Sequence, residues 1–499
     1  MRRNEAAVQR MSQEPEQDEA DGAGAGALSV RLKIVVVAIL AAGALLRFVA
    51  ATDQLWLDEV WSVVIAQQAE SPLTLVTGNE NANNHPLNSL WIRALGFDGG
   101  WVGYRMLSVF SGIAMLLVLW TLPIGGGVAR RLSVVCLTAF SYPMILYSAE
   151  ARGYMPAMCC AVGVYALGRG MSVRPGFGRI AGVAALVILG FLAHLTFVYF
   201  YMSFFAWTAL RQWREFGAKP AAVVNLARLH GIPAAFCAWF YLVFVREMIN
   251  PGGAEVAWTR TLVDTFALSL GGPDQGAAGW LSVLAGVALI GWGIRELHRR
   301  RDDEWVFYLG VLLVAPLTIL AVRREGWVYF RYFLVCFPFL YLLAGLAVER
   351  LWTSKRNGAA ATIGALAILL AFHSVRTANL ISTGRGAHIE ALQRIVDESP
   401  PGPIVVGTDH DFRNKLLMGF YVPHVNGAER LVYRDFTAWP SGGVDWAITH
   451  KMGKGVQPKD EISRDGVRYA LDGEFRYDGG YSGFHWFLYR RMPRGAAAE

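Results

Sequence analysis

The sequence predicts a polytopic α-helical membrane protein with about eleven transmembrane helices, interfacial helices in its first outer loop and a small C-terminal α/β soluble domain. Of its 499 residues, 54% are hydrophobic and only 17% are charged, a balance that is rare in soluble proteins of this size. Apolar runs of about 17–25 residues, long enough to cross a hydrocarbon core of roughly 30 Å, recur along the chain. They stop near residue 380, where shorter mixed patterns begin.

Hydropathy and loop charge together predict the topology. With the N-terminus in the cytoplasm, the inner loops "GGGVARRLS", "GRGMSVRPGFGR", "RQWREFGAKPAAVVNLARLH", "RELHRRRDDE" and "ERLWTSKRNG" are all basic, as the positive-inside rule requires. High Ala, Gly and Arg usage and compact loops favour a bacterial plasma membrane. The predicted spans lie at roughly 32–50, 101–121, 128–147, 154–168, 180–195, 197–211, 231–247, 278–295, 305–322, 330–348 and 358–376.

Composition divides the chain into three parts. Residues 1–30 mix acids, Gln, Gly and Ala, which predicts a disordered cytoplasmic tail rather than a cleaved signal. Residues 31–380 are the membrane domain, in which "EVWSVVIAQQA" and "HPLNSLWIRAL" of the outer loop at 51–100 are expected to lie flat at the interface. Residues 385–499 are the extracytoplasmic α/β domain, with helices at "AHIEALQRIVDE" and "NKLLMGFYV" and strands at "PIVVG", "DWAITH" and "HWFLYRR".

Two adjacent carboxylates, Asp58 and Glu59, follow the first span in "LWLDEVWS". A structural interpretation makes Asp58 the N-cap of a solvated helix. The flanking Leu and Trp residues and the position at the membrane boundary, where ionisable groups are commonly functional, favour a catalytic role. A partly desolvated carboxylate has a raised pKa and can act as a general base.

Two further polar segments fall on the same predicted face. In "NENANNHPLN", His85 and Pro86 either cap a helix or place His85 against a substrate phosphate or hydroxyl. In "YSAEARGYMP", Glu150 and Arg152 either form a structural ion pair or snorkel to the interface, or face a cavity. The residue types leave both interpretations open.

Arginines are frequent in the predicted outer loops, where basic residues should be scarce. An anionic ligand at the outer leaflet would account for them, because guanidinium groups bind phosphate in bidentate fashion. Arg331, followed by Tyr332 at the mouth of an apolar span, is the best placed. The outer arginines are Arg105, Arg246, Arg260, Arg323, Arg324 and Arg331.

Other polar groups are interpreted structurally. His194 in "FLAHLTFVYFY" is expected to be a packed or interfacial histidine rather than a ligand. Asp409, His410 and Asp411 in "GTDHDF" follow a predicted strand, where a polar turn is commoner than a metal site. The five cysteines lie in apolar segments without metal-site spacing, so packing is their expected role.

The order of these motifs resembles the GT-C superfamily of integral-membrane glycosyltransferases, and within it the family 39 type. That group includes protein O-mannosyltransferases, lipid-A aminoarabinose transferases and rhizobial galacturonosyltransferase-like proteins. The resemblance covers about residues 32–350 and rests on four motifs in order: "LWLDEVWS", "NNHPLNSLW", "YSAEARGYM" and "RYFLVCFPFLYLLAG".

The resemblance implies residue roles. Asp58 matches the catalytic base and Glu59 its acidic neighbour. The His-Pro step, the Glu-Ala-Arg-x-Tyr element and the late Arg-Tyr are also matched, although Ala149 stands where Gln is usual and Leu87 follows the His-Pro step. With the outer arginines included, the expected substrate- and phosphate-binding residues are His85, Arg105, Glu150, Arg152, Tyr154, Arg331 and Tyr332.

The resemblance also implies a reaction: transfer of a sugar from a polyprenyl-phosphate donor to an acceptor hydroxyl at the outer face, with inversion. Asp58 would take the acceptor proton, and Arg331, Arg152 or Arg105 would stabilise the leaving phosphate. The acceptor is a glycan, lipid or protein, and no nucleic acid is involved. Some relatives need a divalent metal, but no ligand set in this sequence requires one.

A membrane transporter or lipid flippase without transferase activity is the main alternative. Such a protein places ionisable or helix-breaking residues near mid-membrane, often in paired repeats. Here the polar residues cluster at the predicted outer lip, and the two halves of the chain do not mirror each other. A non-catalytic scaffold that carries an outer receptor domain is a third interpretation, in which the acid pair and the His-Pro step are incidental.

Overall fold

A computed structural model describes residues 29–78, 81–125, 127–249, 255–322, 328–353, 357–453, 455–478 and 482–493. The predicted tail therefore lies almost wholly outside the described residues. Arg323 and Arg324 lie outside them as well. Residues 51–99, between the first and second long helices, are called the first loop below, and residues 388–493 the sheet domain.

Helices make up most of the chain as far as Thr383. They are α1 (Val30–Ala50), α2 (Leu57–Gln68), α3 (Thr74–Thr77), α4 (Pro86–Leu95), α5 (Gly100–Thr121), α6 (Val128–Phe140), α7 (Tyr142–Ser148), α8 (Tyr154–Arg169), α9 (Phe177–Ala193), α10 (Phe197–Phe216), α11 (Pro220–Phe240), α12 (Trp258–Leu270), α13 (Gly276–Arg299), α14 (Glu304–Leu309), α15 (Ala315–Val322), α16 (Phe337–Trp352) and α17 (Gly358–Thr383). Short π-helical segments follow α11 and α14, and the 3₁₀ helix Phe330–Cys336 precedes α16.

The polytopic membrane fold is confirmed, whereas the number of spans stays a prediction. Every predicted span coincides with helix in the structure. By length and composition, seven described helical segments could cross a membrane. They are Val30–Ala50, Gly100–Thr121, Pro220–Val245, Gly276–Arg299, Glu304–Val322, Phe330–Trp352 and Gly358–Asp397.

The predicted span at 128–147 is two helices rather than one. Pro143, near the start of α7, has no N–H to continue the ladder of α6, so the chain breaks after Phe140. Arg47 of α1 fills the break: it donates to the carbonyls of Thr138 and Ala139 at 2.9 and 3.0 Å. The last carbonyls of a helix lack intrahelical partners and carry partial negative charge. A buried guanidinium therefore closes the end of α6 inside the bundle.

The first loop forms the helices that the sequence predicts. The segment "EVWSVVIAQQA" lies in α2 and "HPLNSLWIRAL" in α4, with Pro86 in the first helical turn. The apolar face of α2 packs against the sheet domain, where Val60 and Val63 share a core with Leu417 and Met418. The first loop is thus held between the helical bundle and the sheet.

The sheet domain contains one mixed six-stranded sheet with the strand order β2-β1-β3-β6-β5-β4. Strands β1, β2 and β3 are parallel neighbours, and the other pairs are antiparallel. The predicted helices and strands of this domain are all present. Its elements are α18 (His388–Asp397), β1 (Ile404–Thr408), α19 (Asp411–Tyr421), β2 (Leu431–Arg434), β3 (Trp446–Lys451), β4 (Glu461–Arg464), β5 (Val467–Phe475) and β6 (His485–Arg491).

Hydrogen bonds join the sheet domain, and the segment immediately before it, to the first loop. The Arg385 amide donates to Asp53 at 2.5 Å, and the Gln54 side chain accepts from the amides of residues 388 and 389. The Tyr421 hydroxyl donates to the Leu55 carbonyl at 2.6 Å. These contacts fix the chain immediately before the Asp-Glu pair.

Candidate active site at the first loop

A cavity of about 320 Å³ lies between the first loop, helices α8 to α10 and α15, the π-helical segment Tyr241–Val245 and the 3₁₀ helix before α16. It is called the first cavity below. Its polar wall brings together residues that are far apart in the sequence. Its apolar wall includes Phe191, Val198, Phe244 and Ile319. The polar lining residues are Asp58, Asn83, Asn84, His85, Arg152, Tyr154, His194, Thr196, Tyr199, Arg331 and Tyr332.

Asp58 stands in the first turn of α2 with its carboxylate between two guanidinium groups. Arg152 forms an ion pair with Oδ2, and the Arg331 Nη1 lies 3.4 Å from the same oxygen. The side chain of Asp58 is 15% exposed. The arginines are 94 and 273 residues away in sequence, so the fold unites three of the predicted residues at one point.

His85 and Tyr154 hold Arg152 in place. The His85 Nε2 lies 2.9 Å from Nη2 of Arg152, and the Tyr154 ring lies 5.3 Å from the guanidinium carbon. Gly153 is needed beside them, because a Cβ at this position would collide with the Ala193 carbonyl. The "EARGY" element thus presents Arg152 to the cavity through a close backbone contact.

His85 is therefore an acceptor for Arg152. Burial, helped by the charges of Arg152 and Arg331 and by the neighbouring His194 ring, holds the pKa of His85 well below its usual range. His194 stacks on His85 with ring centroids 4.8 Å apart. His194, which the sequence suggested to be a packing residue, both packs here and lines the cavity.

The guanidinium group of Arg331 has an N–H group that no described residue accepts. Arg331 lies in the 3₁₀ helix before α16, with its guanidinium 4.8 Å from the ring centroid of Tyr329. Its buried Nε and the buried Nε1 of Trp56 have no hydrogen-bond partner among the described residues. Buried unsatisfied donors are uncommon and call for an explanation. Two of them beside Asp58 are consistent with a ligand that carries acceptor oxygens.

Glu59, although adjacent to Asp58, does not line the cavity. Its fully buried carboxylate accepts five hydrogen bonds: two from Arg105, and one each from Arg385 and the amides of Trp56 and Ala151. Burial alone raises its pKa, but these positive charges and donors hold the pKa of Glu59 below its ordinary value. Every acceptor site is occupied, so this geometry fits a positioning residue.

Arg105, expected to bind phosphate, also lies outside the cavity. Its donors all go to Glu59 and to the carbonyls of Ala51, Asp53 and Gln54. A guanidinium has five N–H groups, and these contacts use all of them. Arg105 therefore ties α5 to the first loop and has no donor left for a ligand.

Glu150 is fully buried and faces neither the first cavity nor solvent. Neither carboxylate oxygen meets hydrogen-bond geometry with a described residue, although the Ser482 hydroxyl lies near. Burial raises the pKa of Glu150 against the opposing charges of Arg385 and Arg152. Its expected substrate-binding role stays a prediction that no contact in the first cavity supports.

Arg385 was not identified from the sequence and is as central as Arg105. It is 1% exposed and donates to Glu59 at 3.5 Å, to the Leu146 carbonyl at 2.9 Å and to the Ala149 carbonyl. Its position in "TGRGAH", just beyond the last apolar run, was the available signal. Arg246, in contrast, is largely exposed and pairs with Glu247.

The carboxylates of "GTDHDF" are occupied within the sheet domain. Asp409 lies 2.7 Å from the His450 Nδ1, and Asp411 accepts from the Tyr433 hydroxyl and the Phe436 amide. In the described ranges, no three His, Cys, Asp or Glu side chains are grouped so that they could hold a metal ion. The donor set around Asp58, a single carboxylate with a histidine engaged by Arg152, does not fit one either.

Acidification is expected to destabilise the protein between pH 6.5 and 5. A histidine with a lowered pKa stabilises the folded state fully above its unfolded value of about 6.5, and this stabilisation is lost as the pH falls toward the folded value. Below pH 6.5, protonation of His85 opposes folding, because its ring lies beside Arg152 and Arg331. The thermal unfolding midpoint of the full chain should therefore fall over this window.

The variant His85→Gln is the control for this prediction. Glutamine keeps a hydrogen-bonding amide but cannot titrate, so the pH dependence should flatten. An unchanged slope in this variant would assign the effect to other groups. Glu59 acts at lower pH, because its lowered pKa makes its contribution complete above about 4.5.

Comparison with solved structures identifies the fold. Neither a protein-family model nor a curated protein matches the sequence. The apo structure of ArnT from Cupriavidus metallidurans matches with a TM-score of 0.50 and 14% identity, covering 84% of this chain and 93% of ArnT.

Two further structures match at TM-scores below 0.5. ArnT from the same organism bound to undecaprenyl phosphate has a TM-score of 0.45 and 13% identity over 93% of this chain and 99% of that one. The Archaeoglobus fulgidus oligosaccharyltransferase in complex with zinc and sulfate has 0.42 and 11% over 82% and 67%. The likeness is one of fold: this chain has a fold similar to that of ArnT, the type of fold that the motif resemblance implies.

Proposed function

We propose that this protein is a membrane glycosyltransferase that moves a sugar from a polyprenyl-phosphate donor to an acceptor hydroxyl, with inversion and with Asp58 as general base. One observation supports the proposal above the others: a carboxylate and two guanidinium groups meet in a cavity with an apolar wall, and one of these guanidinium groups, that of Arg331, has an unsatisfied buried donor. We place the reaction at the outer face of the membrane, with the N-terminus in the cytoplasm and the sheet domain outside.

The charges of the first cavity suit a lipid phosphate. Arg152 and Arg331 supply two positive charges, Asp58 supplies one negative charge, and the lowered pKa of His85 keeps its ring neutral. The excess positive charge favours a phosphate, which guanidinium groups bind strongly. The apolar wall at Phe191, Val198, Phe244 and Ile319 would hold the first part of a prenyl chain.

The transfer is a single displacement. The acceptor oxygen forms a bond to the anomeric carbon while the bond from that carbon to the phosphate oxygen breaks, and the acceptor proton passes to Asp58. The electron pair of the broken bond stays on the phosphate, where Arg331 and Arg152 stabilise the growing charge. Attack and departure occur on opposite faces, so the anomeric configuration inverts.

Donor binding would also release the base. In the structure both arginines contact Oδ2 of Asp58, so this oxygen is already engaged before a donor binds. A phosphate that enters the cavity competes for the same guanidinium groups. As they turn to the phosphate, Asp58 becomes available, so the base is exposed only when the donor is bound.

The proposal is tested with full-length purified protein and a panel of radiolabelled polyprenyl-phosphate sugars. We expect one or a few panel members to release polyprenyl phosphate and to label an acceptor in crude membrane extract. Membranes that carry Asp58→Asn should show neither signal. A protein that carries labelled lipid across vesicle bilayers without breaking the sugar–phosphate bond would instead be a flippase, and the proposal would be abandoned.

Substitution of Arg331 separates donor binding from chemistry. We expect Arg331→Met to raise the KM for the donor about tenfold or more, since hydrogen bonds to charged groups are worth about 1.5–3 kcal/mol. Arg331→Lys keeps the positive charge but loses the bidentate geometry of the guanidinium group, so its donor KM should be intermediate. The KM for the acceptor should change little. Equal increases in both KM values would indicate a structural role for Arg331.

A further inference from the structure

A second cavity, of about 550 Å³, lies between helices α12 and α17 and the sheet domain. It is lined from the bundle by residues such as Tyr142, Asp274 and Arg376, and from the sheet domain by Tyr477 and Asp478. Among the described residues, those that contact Asp58 through hydrogen bonds or ion pairs are all absent from its lining. The space is therefore distinct from the first cavity, and larger.

The second cavity is lined by equal numbers of arginines and aspartates. Three arginines, at 260, 376 and 476, face three aspartates, at 264, 274 and 478. Arg260 and Asp264 pair at 2.7 Å, and Arg376 and Asp274 at 3.2 Å. A phosphate or carboxylate ligand needs uncompensated positive charge, which this cavity lacks. Hydroxyl groups both donate and accept, so they can bind to such pairs without a change in charge.

Two further features point to a polyhydroxylated ligand. The Nη1 of Arg376 is buried in the wall and has no hydrogen-bond partner among the described residues. This N–H group can therefore donate to an acceptor oxygen of a ligand. The aromatic rings of Tyr142, Tyr329 and Tyr477 also line the space. Aromatic rings suit the apolar faces of a sugar ring, and the paired charges suit its hydroxyl groups.

The two cavities lie on either side of one short segment. Tyr329 lines the second cavity, and its ring centroid lies 4.8 Å from the guanidinium carbon of Arg331, which contacts Asp58 in the first cavity. A ligand in the second cavity is thus close to the position of the base. Donor phosphate and acceptor would reach Asp58 from different sides.

We propose that the second cavity binds the neutral, polyhydroxylated part of the acceptor, a glycan without phosphate or carboxylate at the bound ring. The binding site stands on the cavity alone, and its role as acceptor site rests on the glycosyl transfer proposed above. Selection against charged acceptors follows from the balance of arginines and aspartates.

The test measures binding by saturation-transfer NMR, with full-length protein in nanodiscs. The probes are methyl hexopyranosides and the corresponding 6-phosphates. Neutral glycosides should bind and their phosphates should bind more weakly. Gln275→Ala, an exposed lining residue, should weaken glycoside binding about fivefold, the effect of one hydrogen bond of about 1 kcal/mol. Gln68→Ala, an exposed residue outside both cavities, should change nothing.

Asp274→Asn should reverse the preference. It leaves Arg376 without its carboxylate, so the 6-phosphates should then bind more tightly than the neutral glycosides. A thermal unfolding scan confirms that the variant is folded. Tighter phosphate binding by the unaltered protein, no glycoside binding, or binding insensitive to Gln275→Ala and Asp274→Asn would each overturn the proposal. Glycoside binding should survive Asp58→Asn, so failure of the transferase proposal is recognised separately.

Discussion

Asp58→Asn is expected to lower the rate of sugar transfer by about 10²–10⁴-fold, the contribution of a positioned general base. Asparagine has nearly the same shape and still accepts a hydrogen bond from Arg152 or Arg331, so the protein should insert and fold. The reaction is followed with purified protein as release of polyprenyl phosphate from the lipid-linked sugar. Full activity in this variant would rule out Asp58 as the base.

Donor affinity gives Asp58→Asn a second, opposite readout. Asp58 and the donor phosphate compete for the same two guanidinium groups, so removal of the carboxylate should leave donor binding unchanged or tighter while transfer is lost. Weaker binding would mean that Asp58 merely organises the site. Asp98→Asn, an exposed acid of the same loop, is the matched control and should affect neither quantity.

The sequence predicts much of the fold because membrane-spanning helices and their connecting loops differ in local composition. Apolar runs and basic loops located helix in every predicted span, and amphipathic patterns located α2 and α4. Strands β2, β4 and β5 were missed, since their short, half-exposed stretches carry no strong alternation. The break after Phe140 was missed although Pro143 marks it, because the apolar run continues through it.

The residue types of the candidate site were predicted from the sequence. Which of these residues line the cavity, and which stabilise the structure around it, was not. Asp58 and Glu59 are neighbours on a helix, where successive side chains point about 100° apart, so one faces the cavity and the other the core. Local sequence does not indicate which of the two carboxylates faces the cavity. Arg105 and Arg152 are equivalent by residue type, but all five N–H groups of Arg105 bind Glu59 or backbone carbonyls of the first loop. Contacts such as Arg385 to Glu59, 326 residues apart, have no local signature.

Glu59→Gln is expected to lower the free energy of unfolding by about 3–5 kcal/mol, the usual cost of removing one partner of a buried ion pair. The substitution leaves Arg105 and Arg385 buried without a counter-charge. It also weakens the hydrogen bonds that Glu59 accepts from the amides of Trp56 and Ala151. Thermal unfolding of the full-length protein measures the loss. The midpoint should fall clearly, and transfer should decline in proportion to the folded fraction.

The double variant Glu59→Gln/Arg105→Gln separates positioning from catalysis. Because it removes one uncompensated charge, it should regain part of the stability that Glu59→Gln loses, as coupled residues do. If Glu59 acts only through the position of Asp58, transfer should recover together with stability and the donor KM should stay near that of the unaltered protein. A double variant that is as stable as the unaltered protein yet inactive would make Glu59 catalytic. That result would conflict with its five protein hydrogen bonds, which leave no lone pair facing the first cavity.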